Sequence, residues 1–403
     1  MSRRRRLDLP AGFGSIWTAV AIDLIGFGIV LPILPIYARR FHTSPFDATL
    51  LVAAFSAASF VFSPIWGRIS DRFGRRPVLL ISLAGSAVGS LLTGAAGGFA
   101  MLMAGRIVDG ASGASVSVAQ AAAADLARPQ ERARLFGLLG AAFGLGFVAG
   151  PALGALAALS GPRLPFYLAA GLAAVNTGVA AKRLPETRTA REPESERRGS
   201  LAERWLGASF ADVAPLLLVA FSALVAFSAF EATFSLFGQR RLGFGIAGAA
   251  AVFTGVGAVI VAVQVGLVAR VVRRLGERTT LVVGLSANAG GLSLMAVSRS
   301  WALAAPALAA LTVGQGLVQT TMATAMASRA GVGARGRALG AQQSVGGLAR
   351  IAGPAAGGAL LGSHASGWPY AGGAILTLLA AVAAGLFSGQ SRKTGVTANT
   401  SSS

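Results

Sequence analysis

Runs of about twenty mostly apolar residues recur along nearly the whole chain, and that is the length one helix needs to cross a bilayer. They fall at 15–38, 48–66, 78–98, 99–121, 135–158, 164–181, 213–237, 246–268, 279–298, 301–327, 338–361 and 369–388. Twelve such spans predict an all-α membrane protein. Composition agrees: 54% of the 403 residues are hydrophobic and 12% are charged, where soluble proteins carry about a quarter charged. Many of the 54 glycines lie inside the spans, where small residues let helix backbones approach closely.

The chain has no cysteine and two histidines, His42 and His364. A disulfide framework, a thiolate zinc site and a cysteine nucleophile are excluded, and a histidine-rich metal centre or a Ser-His-Asp hydrolase is disfavoured. There is no phosphate-binding Walker loop, and the GxG patterns sit in apolar helices. No polar segment is large enough to form a catalytic or sensing domain. Transport is therefore expected rather than catalysis, with no metal and no cofactor. A non-transporting membrane sensor is the competing class.

Lys and Arg total 35 against 15 acidic residues, a net charge of +20. These cations are spread over short loops without aromatic interleaving, which argues against nucleic acid as a partner. With the N-terminus inside, the cytoplasmic loops carry 27 of them and the outer loops six, a strong positive-inside signal that also suits anionic lipid. Both termini are predicted to be cytoplasmic, in a multi-pass inner-membrane chain. The stretch 15–38 is too long for a signal-peptide core and contains Asp23, so it is retained as the first span.

One long polar stretch, 182–212, divides six spans from six. The expected organisation is a basic N-terminus (1–14), a six-helix bundle (15–181), this linker, a second bundle (213–388) and a Ser/Thr-rich tail (389–403) that composition predicts to be disordered. Arg132, Arg134, Gly137, Gly144, Gly150, Pro151 and Gly154 reappear 203 residues later as Arg335, Arg337, Gly340, Gly347, Gly353, Pro354 and Gly357. The loop GRISDRFGRR at 67–76 has an echo in ARVVRRLGER at 269–278. An internal duplication of six spans predicts two pseudo-symmetric bundles with a site near the bilayer midplane.

Four motifs carry a resemblance. They are Gly67-Arg68-x-x-Asp71-Arg72-x-Gly74-Arg75-Arg76 between spans 2 and 3, and Arg106-x-x-Asp109-Gly110-x-x-Gly113 in span 4. The others are Gly146-x-x-x-Gly150-Pro151-x-x-Gly154 in span 5 and Asp23-x-x-Gly26-x-Gly28-x-x-x-Pro32-x-x-Pro35 in span 1. Over nearly its entire length the chain resembles the major facilitator superfamily, within it the twelve-span drug:proton antiporters that include tetracycline exporters. The second-half copy of the first motif departs from the pattern, with Arg273 where an aspartate is expected. The resemblance implies export and a cytoplasmic gate of Gly67, Asp71, Arg72, Gly74, Arg75, Arg76 and Asp125. Asp71 would then meet the start of span 11 near Arg335 and Arg337. It also implies a substrate cavity lined by spans 1, 4, 7 and 10.

Charges inside the spans are the sharpest residue-level signal, since each costs about 2.5–3.5 kcal/mol at a helix centre. They are Asp23, Arg106, Asp109, Glu231 and Arg350. Arg106 and Asp109 share a helix face and form a candidate ion pair. Asp23 and Glu231 have no cation on their own helix, and a carboxyl in hydrocarbon favours its neutral form. Glu231 is the first candidate for proton coupling and Asp23 the second, with Arg350 as a counter-ion or as the group that expels the proton.

Gln315, Gln319, Met322 and Met326 share a stripe of span 10 and are the first candidate substrate contacts. Phe27, Gln120, Phe227, Phe230 and Phe234 would add to the cavity. Such a lining suits small amphiphilic drugs, and a single-chain transporter energised by the proton gradient is expected; carriage of a specific metabolite, such as a sugar or amino acid, is the alternative. Gly146, Gly150, Pro151 and Gly154, with Gly353, Pro354 and Gly357, are expected to form close-packing grooves at the interface between halves.

Overall fold

The computed structural model describes residues 9–128, 131–187, 208–329, 335–362 and 367–387. Among them every regular element is helical. In the first half these are α1 (Phe13–Val30), α2 (Leu34–Ala38), α3 (Pro45–Phe73), α4 (Arg75–Ala95), α5 (Phe99–Ala111), α6 (Ser115–Leu126), α7 (Arg132–Leu159) and α8 (Leu164–Arg183). In the second half they are α9 (Ala208–Arg241), α10 (Ile246–Ala262), α11 (Val268–Val297), α12 (Trp301–Arg329), α13 (Arg335–Leu361) and α14 (Trp368–Phe387).

Nine stretches among the described residues are long and apolar enough to cross a membrane, where the apolar runs predict twelve. Three local features account for the difference. The fourth predicted span is broken at Ser112–Ala114 into α5 and α6, neither long enough alone. A π-helical turn at Val263–Leu267 joins α10 to α11, so the eighth and ninth spans read as one stretch, Ile246–Val297. Gly276, at φ 76°, marks where α11 changes direction. The eleventh span corresponds to α13, a full-length helix of 27 residues carrying Arg350 and polar Gln342, Gln343 and Ser344. The first span, expected as 15–38, is interrupted at 31–33, where Pro32 removes a backbone donor.

The break in the fourth span is stabilised from outside it. The Ser82 hydroxyl on α4 donates to the Ser112 carbonyl and accepts the Ala114 N–H. Backbone groups that a helix would have paired are thus satisfied by a side chain, as hydrocarbon requires.

The chain forms two compact units. One comprises Met1–Phe41, Ala54–Ser195 and Ile246–Thr254; the other comprises His42–Ala53, Glu196–Gly245 and Gly255–Ser403. The division falls within α3 and within α10, so each of these helices belongs partly to each unit.

Packing inside the two units repeats. In the first, α1 packs on α7 and α8, and α4 packs on α8 and α5. In the second, α9 packs on α13 and α14, and α11 packs on α14 and α12. Each first-unit pair has its counterpart one repeat later, as the duplicated sequence predicts. The first unit's core includes Phe13, Ile16, Val20, Leu79, Leu83, Val118, Leu135 and Leu139. That of the second includes Leu216, Leu281, Leu285, Val318, Met322 and Met326.

The repeated glycines lie at these helix contacts. A β-carbon on Gly146 would fall 2.7 Å from the Leu24 carbonyl oxygen, and one on Gly154 3.0 Å from that of Ile29. In the second unit Gly353 backs onto Val225 and Ala229 of α9, and Gly357 onto Ala229 and Thr233. The expectation placed these grooves between the halves. The contacts of Gly146, Gly150 and Gly154 are instead with α1, and those of Gly353 and Gly357 with α9, each inside its own unit. Helical spacing says that small residues share a face; it does not say which neighbour that face meets. Pro151 and Pro354 lie inside α7 and α13, beside these contacts.

Candidate functional site

In the first unit the intramembrane charges form one cluster. α1 is held by Trp17 Nε1 donating to the Leu138 carbonyl and Asn176 Nδ2 donating to that of Ala19, at 2.7 and 2.8 Å. This fixes Asp23, whose Oδ2 accepts the Ser115 hydroxyl at 2.5 Å. Ser115 opens α6, so the break in the fourth span supplies the donor. On α5, Arg106 and Asp109 are paired at 2.6 Å and both buried, at 3% and 7% exposure. Gly89 on α4 admits the pair, since a β-carbon there would fall 2.5 Å from Asp109 Cβ.

The Arg106 guanidinium lies over the Phe55 ring, 4.4 Å from its centroid, a placement worth upwards of about 2 kcal/mol when desolvated. Phe27 packs on Phe55, with ring centroids 5.2 Å apart. Arg106 Nε is buried and has no hydrogen-bond partner. Ser86 on α4 lies close to both Asp23 and Asp109. Two carboxylates, one arginine and two hydroxyls therefore meet inside the helices. Gln120 is half-buried on α6.

The second unit holds a sparser set. Glu231 on α9 is buried at 9% exposure, and Arg350 on α13 is close enough to act on it electrostatically. Phe227, Phe230 and Phe234 are buried in an aromatic stack with Phe244 and Tyr370, with ring separations of 5.2 to 6.4 Å. Of the expected stripe on α12, Gln319 alone is exposed. Gln315 is buried and accepts a hydrogen bond from Asn288 Nδ2 at 3.0 Å, while Met322 and Met326 lie in the core. Three stripe residues and the three phenylalanines thus pack within the unit, where a cavity lining was expected. Gln319 accepts instead from Gln264 Nε2, at 2.8 Å, beside the π-helical turn.

The loop between α3 and α4 forms a third polar group. Arg75 donates through Nε to Asp125 at 3.0 Å, and through one terminal nitrogen to Asp71 at 2.5 Å and Ser70 at 2.7 Å. Arg76 donates to the Ala181 carbonyl at 2.6 Å, and Arg72 lies over Phe73. Gly74 takes φ 104°, which favours glycine; Gly67 is helical, inside α3. Asp71, Arg75 and Asp125 are thus joined by two ion pairs. Arg335 and Arg337 open α13, but their side chains lie outside the described residues.

Sequence reasoning passed over Glu186. Its two carboxylate oxygens accept the N–H groups of Arg75 and Arg76 at 2.9 and 3.2 Å, capping the start of α4. Pro185 packs on Gly12, where a β-carbon would fall 2.5 Å from its Cγ. Ser86 and Ser115 were also missed, although Ser82, Ser86, Gly89 and Thr93 follow helical spacing on one face of α4.

Comparison with known proteins supplies the lineage. The model of the Major Facilitator Superfamily matches residues 16–354. The tetracycline resistance protein, class D, of Salmonella ordonez is 33% identical over 337 residues, covering 83% of this chain and 85% of that protein. Multidrug resistance protein 2 of Bacillus subtilis (strain 168) is 29% identical, covering 67% of this chain and 69% of its own length. Among solved structures, the human organic anion transporter MFSD10 (TETRAN) aligns with a TM-score of 0.69 at 26% identity, covering 93% of this chain and 98% of that one. Helical architecture, repeated packing and matched sequence agree: the chain belongs to the Major Facilitator Superfamily.

Proposed function

We propose that this transporter is a proton-coupled exporter of small amphiphilic compounds, tetracyclines among them, working by alternating access. The observation that carries the reading is the cluster of Asp23, Ser115, Arg106 and Asp109 inside the helices of the first unit. A carboxyl there holds a proton when no cation is near and loses it when one approaches, so a shift of Arg106 from Asp109 toward Asp23 would exchange a proton between the two carboxyls. Glu231 and Arg350 stand in the same relation in the second unit. The protein works as a single chain in the inner membrane with both termini cytoplasmic, driven by the proton gradient and needing no cofactor.

The test is accumulation of tetracycline in cells expressing the protein, with and without a protonophore. Export lowers accumulation until the gradient collapses. In everted vesicles, Asp23→Asn and Glu231→Gln separate the two carboxylates: the variant that loses drug-dependent proton release identifies the coupling site. Proton release retained in both variants overturns the assignment, and accumulation unaffected by expression overturns export itself.

A second reading, carriage of an organic anion, is favoured by one observation. Arg106 Nε is a buried donor without an acceptor, and a carboxylate or enolate oxygen on the substrate would satisfy it. Competition between tetracycline and simple aromatic carboxylates in the same vesicles distinguishes the two.

A further inference from the structure

The two units treat one equivalent corner differently. In the first, the Arg75 guanidinium fills it, held between Asp71 and Asp125. In the second, the loop positions 202 residues on from Asp71 and Arg75 are Arg273 and Glu277, and Ser328 stands 203 residues after Asp125. The frame itself is kept: Arg76 donates to the Ala181 carbonyl, and Arg278 donates to the Gly385 carbonyl one repeat later. What is lost is the arginine between two carboxylates. In its place is a cleft of about 520 Å³, counting the space open at its mouth. Glu277, Arg278, Ser328 and Arg329 form its polar rim, and Leu216 and Leu281 belong to its apolar wall.

We propose that this cleft is a binding site for a phospholipid whose headgroup carries a hydrogen-bond donor next to its phosphodiester. The rim has two guanidinium groups and one carboxylate, a net positive charge that matches a singly charged phosphodiester. Arg278 spends one N–H on Gly385 and keeps the others for phosphate oxygens. Glu277 accepts from a glycerol hydroxyl or an ethanolamine ammonium, neither of which phosphatidylcholine possesses. The wall of leucine side chains takes the start of an acyl chain. Basic recesses between helices at the arginine-rich end of a membrane protein are suited to such headgroups. The site is independent of the transport reading, because its residues are not those of the intramembrane charge clusters.

Native mass spectrometry of the purified protein in detergent tests this, with phosphatidylglycerol, phosphatidylethanolamine, phosphatidylcholine and inorganic phosphate as separate probes. Phosphatidylglycerol and phosphatidylethanolamine should be retained about tenfold more tightly than phosphatidylcholine. Arg329→Gln should weaken that retention about tenfold, and Arg278→Gln with Arg329→Gln should abolish it. Glu277→Ala should erase the preference over phosphatidylcholine. Arg273→Gln, outside the cleft, should change nothing, and Arg329→Gln alone serves where the double variant fails to fold. Equal retention of all three lipids by the unaltered protein, or unchanged retention in Arg329→Gln, overturns the proposal. Displacement of the lipid by millimolar inorganic phosphate identifies a free-anion site and overturns it equally.

Discussion

Gly28 on α1 and Gly150 on α7 meet backbone to backbone: a β-carbon on Gly150 would lie 2.6 Å from Gly28 Cα. No side chain fits at that crossing, so Gly150→Val should force the helices apart. Overpacking of this kind costs about 1–3 kcal/mol or more. Gly140, on the same helix, has nothing within 4 Å of its β-position. Gly140→Ala should therefore be tolerated and stabilise by up to about 1 kcal/mol through helix propensity. Thermal unfolding of both variants in detergent checks the contrast.

Arg106 is the cation of a buried pair with Asp109. Arg106→Gln leaves Asp109 charged without its partner, and breaking a buried pair in this way costs about 3–5 kcal/mol. Abundance in the membrane should fall. Arg106→Gln combined with Asp109→Asn removes both charges and should restore abundance without restoring drug export. Immunoblotting and vesicle transport on the two variants provide the measurement.

Ser82 joins α4 to the break between α5 and α6 through two hydrogen bonds. Ser82→Ala removes both bonds and leaves the Ser112 carbonyl and the Ala114 N–H only each other, at about 1 kcal/mol for each hydrogen bond lost. The displaced Ser115 should then lose its contact with Asp23. Hydrogen exchange of residues 111–116 should rise in Ser82→Ala, and Ser82→Thr should protect it.

Asp71 is 65% exposed at its side chain and bound to Arg75. An exposed ion pair adds less than about 1 kcal/mol, so Asp71→Asn should leave stability and abundance unchanged. If Asp71 belongs to the gate that the family resemblance implies, the variant's transport rate should nonetheless fall severalfold. Unaltered turnover in Asp71→Asn would remove Asp71 from the gate.

Glu186 caps α4 with a carboxylate on two backbone N–H groups. Loss of an N-terminal cap costs about 1 kcal/mol, so Glu186→Ala should lower the melting temperature modestly, and Glu186→Gln should recover part of the loss. The circular-dichroism melting curves of the three proteins should rank in that order.

The apolar runs made the helices legible, and the 203-residue repeat made the duplicated packing legible, because both depend on local composition and spacing. The break in the fourth span was not. Ala111 to Ser115 reads as one more stretch of small residues, and its backbone is satisfied by Ser82, about thirty residues away. The stripe of Gln315, Met322 and Met326 was correctly placed on one helix, but periodicity does not reveal whether its face meets a cavity or α11. Glu186 was hidden among the many charges of the linker. Its role exists only because the chain, after six spans, returns to the place where α4 begins. Asp23, Arg106 and Asp109 were legible for the opposite reason: in hydrocarbon a charge is rare enough to stand out by itself.

The hold of Glu186 on α4 bears on how the protein could be divided into two separately expressed pieces. A first piece ending after Thr187 carries its own fastening, with Pro185 on Gly12 and the carboxylate on the third membrane helix. One ending at Leu184 has lost both. Complementation by a split gene should therefore be more efficient with a junction just beyond Thr187 than with one only three residues earlier.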